Sequence, residues 1–171
     1  MAVNFDQTPG DLLFLIVAAG GPTAATTIGR IEAELANGPV RVIATPQAAE
    51  WLDHAVIEAL TGWPLQSDML TPAAPVLDPP GHRVLATPVT LNTLTKWADG
   101  HADNLAIGLL CEALGSGVPI RAELSLSVPF ARHPAVAPAL ARLSANANVS
   151  LDTHPASSLS ITDLRDLATG N

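Results

Sequence analysis

Short apolar runs alternate with segments of helical periodicity along this chain. Residues 12–19 are continuously apolar and end at Gly20-Gly21. Residues 23–35 then place apolar side chains at helical spacing. Residues 40–44 are a second short run rich in β-branched side chains, and 47–60 follow the helical period again. A strand buried on both faces shows no polar alternation. Runs of this length between helices therefore predict a parallel sheet covered on both sides.

The same pattern continues to the C-terminus. Residues 84–86 predict a strand, 93–114 the longest helix, 118–128 a strand, 134–145 a helix and 149–151 a last strand. Gly115-Ser116-Gly117 predicts a C-cap turn rather than a nucleophile elbow. From residue 157 the chain predicts one short helix, with Ser160 or Thr162 as N-cap and Asp163 in its first turn. The proline-rich stretch 65–81 predicts an irregular loop beside a ligand or an interface, with room for a short strand at 75–77. The expectation is one domain spanning residues 1–171, an α/β fold with a doubly wound, mainly parallel sheet in a flavodoxin- or Rossmann-like three-layer arrangement. Ligands of such folds sit beyond the carboxyl ends of the strands.

Composition narrows the function. The chain has 171 residues, 48% of them hydrophobic and 14% charged, so it has enough apolar side chains for a core and for self-association. Eight Lys and Arg against sixteen Asp and Glu leave no basic cluster for a phosphate backbone, so no nucleic acid partner is expected. The run 12–19 is too short to span a bilayer and lacks a basic n-region, so no membrane partner and a cytoplasmic location are expected. The single cysteine, Cys111, excludes an internal disulfide and sits in an apolar helical run as a buried thiol. His54, His101 and His154 have no companions at metal-ligand spacing, so no metal is expected.

Three polar segments follow predicted strands. Gly20, Gly21, Pro22 and Thr23 form a turn whose glycines let backbone approach an anion at a helix N-terminus. This segment lacks GxGxxG and a P-loop lysine, and an ordinary strand-to-helix turn has the same composition. Thr45 precedes Pro46, the favoured first helical residue, so its hydroxyl caps a helix, binds an anion, or does both. Thr87, Pro88, Val89, Thr90, Leu91, Asn92 and Thr93 form the third. There Asn92 offers donor and acceptor groups that suit the edge of a flavin ring, and Thr90 and Thr93 either join it or cap a helix. Asp103-Asn104 lies in the predicted long helix, where Asp99 and Asp103 at i,i+4 repel, a conflict that favours a functional role. Of Trp51, Trp63 and Trp97, the last lies one turn past the third segment, against a ring, an interface or the core.

The block from Pro88 to Thr93 resembles the PASANT motif of the homo-oligomeric flavin-containing cysteine decarboxylases. Pro88, Asn92 and Thr93 match, Thr90 stands for the serine, and the downstream Asp-Asn-Leu-Ala of residues 103–106 fits the pattern. The resemblance extends over residues 12–151, including the helix and final strand of 133–151. It implies FMN as cofactor, with phosphate near Gly20–Thr23 and Thr45, ring near Thr87–Thr93, and Asp103 near ligand and subunit interface. It also implies a homo-oligomer, a trimer or a multiple of trimers, with the flavin between subunits. In this family FMN oxidises the thiol-bearing carbon of cysteine, and decarboxylation gives an enethiol.

Two departures set this chain apart. The family histidine, about fourteen residues before the motif proline, is replaced by Ala74, and His82 does not align. The PxMNxxMW substrate motif is absent: residues 128–134 read Val-Pro-Phe-Ala-Arg-His-Pro, where Pro129 corresponds and Arg132 or His133 is either a carboxylate partner or a surface residue. No catalytic residue is assigned. The expected function is FMN-dependent oxidative decarboxylation of a cysteine-containing small molecule or peptide. The alternatives are a non-catalytic FMN-binding or regulatory protein of the same fold, and a flavin prenyltransferase, against which the scarcity of basic residues counts.

Overall fold

The computed structural model describes residues 12–19, 24–68 and 82–170. Five strands form one sheet: β1 (Leu12–Val17), β2 (Val40–Ala44), β3 (His82–Val89), β4 (Ile120–Leu124) and β5 (Val149–Thr153). Their order is β2-β1-β3-β4-β5 and every pair is parallel. Gln66 adds a single parallel bridge to Ile43 on the outer side of β2. The chain thus winds outward from β1 through β2 to Gln66, then returns to place β3 on the other side of β1. This is the doubly wound α/β fold expected from the apolar runs, and its direction reverses between β1 and β3.

Each winding lays its helices on one face. Beside β1 and β2 lie α1 (Ala24–Leu35), α2 (Pro46–Ala49) and α3 (His54–Thr61); Ile31, Ala48 and Ile57 pack with Leu13, Leu15, Val40 and Val42. On the opposite face lie α4 (Leu91–Asp99), α5 (Leu105–Ser116), α7 (Val136–Ser144) and α8 (Ile161–Thr169), with the short α6 (Val128–Ala131) after β4. Their core includes Trp97, Leu110, Leu140 and Leu164 against Phe14, Val84, Ile120 and Val149. Trp97 is a core residue, its Nε1–H donating to the Leu110 carbonyl at 3.2 Å. Cys111 is half-buried and its thiol pKa is pushed up by burial, which keeps it protonated and unreactive.

Two expected helices are each divided. The 47–60 segment breaks because Asp53 caps a new helix, accepting from the Val56 N–H at 3.1 Å. The 93–114 segment breaks at Gly100, whose φ of 74° only glycine adopts cheaply, and α5 restarts under the Asn104 cap. The Asp99–Asp103 repulsion therefore does not arise: Asp103 pairs with Lys96, and Asp99 with Arg142. The strand expected over 118–128 is confined to Ile120–Leu124. The short strand expected at 75–77 lies outside the described residues.

At the C-terminus, Ser160 and Asp163 form a reciprocal capping box on α8. The backbone N–H of Ser160, then its hydroxyl, hold the Asp163 carboxyl below its ordinary value of 3.8. A depressed carboxylate pKa means that this cap stabilises the fold above about pH 3.8 and loses its contribution as the pH falls through the folded-state value. NMR titration of the Asp163 carboxyl should show the low pKa, and Ser160→Ala should raise it toward 3.8. An unchanged pKa in the variant would refute the capping assignment.

Candidate functional site

The carboxyl ends of β1, β2 and β3 open into a cleft of about 580 Å³. It lies at the reversal between β1 and β3, where the chain leaves β1 toward one face of the sheet and β3 toward the other. Loops that diverge in this way leave a crevice at the strand tips. Ala18 and Ala19 form its wall after β1, and Thr45, Pro46, Gln47 and Trp51 its wall after β2. Thr90, Asn92, Thr93 and Asn104 close the side after β3.

Each polar group is positioned by a local rule. Thr45 ends β2, where its N–H donates to the Val17 carbonyl at 2.9 Å. Its Oγ1 accepts from the Ala48 N–H at 3.2 Å, and Pro46 opens the helix. A hydroxyl that accepts in this way keeps a proton it can donate. Thr90 occupies the N-cap position of α4 and makes no side-chain cap bond. The first three N–H groups of α4 precede the first intrahelical bond, Leu94 N–H to Thr90 carbonyl at 2.9 Å, so they are available at the cleft. Asn92 is exposed on this first turn and Thr93 is buried beneath it. Asn104 caps α5, accepting from the Ile107 N–H at 3.1 Å, while its amide donates to Asp103 at 3.0 Å.

The structure brings Thr45, Thr90, Asn92 and Thr93 to one cleft. Gly20, Gly21, Pro22 and Thr23 lie outside the described residues, as does Ala74. Asp103 does not line the cleft; its neighbour Asn104 does. The Asp103 carboxyl is exposed, and the hydrogen bond from Lys96 holds its pKa low. Thr87, Pro88 and Val89 are not loop residues. They continue β3, and the β3–β4 register shifts between Ala86 and Val89. Val89 is fully buried in the core and pairs with Leu124. Thr87 and Pro88, joined by a cis peptide bond, face away from the cleft toward α1.

Six lining residues, Ala18, Ala19, Pro46, Gln47, Trp51 and Asn104, were not among those assigned to the cofactor from sequence, although Asn104 was singled out beside Asp103. Trp51 is 60% exposed and lines the cleft just beyond α2. Its signal was its place six residues after Thr45. Gln47 and Asn104 carried the same kind of signal, as a first-turn residue and a helix cap. Among the described residues, none of the ten that line the cleft has an ionisable side chain.

Beneath the tip of β3 sits a buried charge network. Glu123 on β4 is 1% exposed. Thr87 Oγ1 donates to its Oε2 at 2.7 Å, and Arg30 Nη2 donates to its Oε1 at 2.9 Å. Arg121 stands 3.6 Å away and also reaches Asp152 at 3.4 Å. The Thr87 hydroxyl thus ties the strand tip to β4 through a buried carboxylate, which is the costly kind of group to leave short of donors.

No protein-family model and no curated protein matches the sequence. Solved structures do match over most of their length. The cypemycin decarboxylase CypD has a TM-score of 0.68 at 18% identity, covering 98% of this chain and 96% of its own. The FMN-dependent cysteine decarboxylase TvaF from thioviridamide biosynthesis has a TM-score of 0.68 at 19% identity, covering 92% and 98%. The epidermin biosynthesis protein EpiD from Staphylococcus aureus has a TM-score of 0.68 at 16% identity, covering 86% and 84%. The chain therefore shares the fold of the FMN-dependent cysteine decarboxylases, as the motif resemblance led one to expect.

Replacing Thr87 by Val should cost about 1.5–3 kcal/mol, the range for a hydrogen bond to a charged group. Thr87→Ser should retain most of that stability. Urea unfolding of the two variants beside the parent measures both; equal midpoints for Val and Thr would show that the strand tip does not depend on Glu123.

Proposed function

We propose that this chain is an FMN-binding flavoprotein of the cysteine-decarboxylase type, acting in oxidative decarboxylation of a cysteine-containing small molecule or peptide. The observation that carries the proposal is the convergence of Thr45, the open first turn of α4 and Asn92 on one cleft at the strand reversal. The structural neighbours known as FMN-dependent cysteine decarboxylases support the same reading.

The cleft fits the group in size and chemistry. About 580 Å³ lies within the ~300–1,000 Å³ range of ligand pockets. Ala18, Ala19, Pro46 and Trp51 offer apolar surface for a flat ring, and Thr90 and Asn92 offer donors and acceptors for its polar edge. No Lys or Arg lines the cleft among the described residues. The phosphate would therefore be held by the Thr45 hydroxyl and by backbone N–H groups at helix starts, where the dipole favours an anion. Gly20–Thr23 belong to this proposed site by their place after β1. When bound, FMN supplies the two-electron oxidation of the thiol-bearing carbon. The residues of the chain position and desolvate: Trp51 lines the cleft, and Asn92 sits where it can hold a ring edge or a substrate carboxylate.

A second reading, FMN binding without turnover, is favoured by the absence of ionisable side chains among the described lining residues. Anaerobic addition of a cysteine-containing peptide separates the two. Loss of the oxidised flavin band would support the decarboxylase, and an unchanged band the binding protein. Flavin prenyl transfer would bring a further phosphate to a lining without a basic residue, so a dimethylallyl phosphate transfer assay should be negative.

FMN and riboflavin titrations test the site itself. Asn92→Ala should weaken both by about 0.5–1.5 kcal/mol, the net worth of one hydrogen bond. Thr45→Ala should weaken FMN and leave riboflavin much less affected. Full FMN affinity in both variants would overturn the placement.

We further infer a homo-oligomer, a trimer or a multiple of trimers. In support, Trp51 and Phe130 are more than half exposed near the carboxyl ends of β2 and β4. Aromatic side chains are enriched at protein–protein interfaces relative to the rest of the surface. Light scattering should give a multiple of the 17.6 kDa chain mass, and a monomer at working concentration would refute the inference.

A further inference from the structure

Behind the β3 tip, on the α1 side of the sheet, lies a second cavity of about 270 Å³. It is separate from the cleft: Thr87 and Pro88 form its wall, whereas Thr90, Asn92 and Thr93 face the cleft. It is open to solvent on one side, where Thr26, Gly29, Ala33, Pro155 and Ala156 are exposed, and its inner wall is Leu15, Thr87 and Pro88. Three observations indicate what it holds.

First, the cavity presents unspent donors. The Ala156 N–H donates to His154 Nδ1 at 3.2 Å. A ring nitrogen that accepts is unprotonated, so the neutral ring carries its proton on Nε2. That N–H has no protein partner among the described residues. Burial favours the neutral form, lowering the pKa of His154; Glu123 opposes this and Arg30 reinforces it. Arg30 spends Nε on Glu34 and Nη2 on Glu123, each at 2.9 Å, which leaves Nη1. Second, no carboxylate lines the cavity among the described residues, and the rest of its surface is largely apolar, with Leu15, Ala33, Pro88 and Pro155 among its walls. Third, Gly29 faces it from inside α1, and a Cβ built there meets no atom within 4 Å. Glycine inside a helix costs stability relative to alanine. Gly29 is exposed on α1, so the space beside it is continuous with solvent and leaves room for a larger side chain.

We propose that this cavity is a ligand site for a small acyl compound, a short branched aliphatic body bearing a carboxyl or carbonyl oxygen. The oxygen accepts from His154 Nε2–H and Arg30 Nη1–H, and the body lies across Gly29 against Leu15 and Pro88. The volume, about half that of the cleft, leaves room for a small compound and not for a flavin. The charges of Arg30, Arg121, Glu34, Glu123 and Asp152 sum to −1, so the donors select for an oxygen acceptor rather than for a full negative charge.

The flavin-free full chain is titrated with isobutyrate and with isobutyramide, and the 1H–15N signals of the His154 ring are followed. The expected result is a saturable shift of the Nε2–H resonance with the Nδ1 acceptor signature retained. Binding of isobutyrate alone would define a carboxylate site, and binding of both an acyl-oxygen site. Gly29→Leu should fill the cavity and weaken binding at least tenfold, with an unfolding midpoint no lower than the parent's. If that variant fails to fold, Ala33→Met on the same wall replaces it. No saturable shift with either probe overturns the proposal. So does a shift of equal affinity in the cavity-filled variant, because the probe would then be bound elsewhere. FMN is absent throughout, so the outcome is independent of the flavin assignment.

Discussion

The burial of β3 on both faces is the constraint on which the rest of this molecule depends. Arg83 through Val89 are buried, between β1 on one side and β4 on the other. A strand hydrogen-bonded along both edges and packed on both faces moves only with the whole sheet. Its tip is therefore a fixed post, and the chain turns around it. Thr87 and Pro88 look toward α1, while Thr90 and Asn92, beyond the last pair with β4, look toward the cleft. Groups positioned in this way are held by the scaffold before any ligand arrives, which lowers the ordering cost of binding.

The two faces of the post differ in what secures them. Toward α4 and α5 the contacts are apolar, with Val84, Ala86 and Val89 against Leu94 and Leu110. Toward α1 the apolar cluster reaches β3 only at Leu85. Beyond it the sheet face carries Thr87, Arg121, Glu123 and Asp152, joined by the hydrogen bonds and ion pairs around Glu123. Such a network is sensitive to geometry, because one missing donor leaves a carboxylate buried and underpaired. The polar face is thus where small changes at the strand tip register most strongly, and it forms the floor beside the acyl cavity.

Much of this was legible in the sequence because parallel strands buried on both faces announce themselves as unbroken apolar runs. Residues 40–44 and the start of β1 at Leu12 were placed to the residue. The true β3 was longer than its apolar run, because Thr87 and Pro88 are polar or turn-like by type. Their burial depends on Glu123, 36 positions away, which no local pattern reveals. The helix breaks at Asp53 and Gly100 were written in cap residues that periodicity overrode. Trp51 was missed as a cleft residue, and Asn104 was singled out only as the neighbour of Asp103, because their roles arise where separate windings meet. The cavity of His154 was invisible for the same reason: His154 and Gly29, far apart in sequence, meet only in the folded chain.

The central claim is that the cleft at the β1/β3 reversal holds FMN. The most direct measurement is the visible absorption spectrum of the chain after exposure to FMN and removal of the excess, with the released ligand identified by mass. The expected result is a flavin spectrum, one equivalent per chain, and the mass of FMN. A colourless protein, or a coloured one that releases something else, would contradict it.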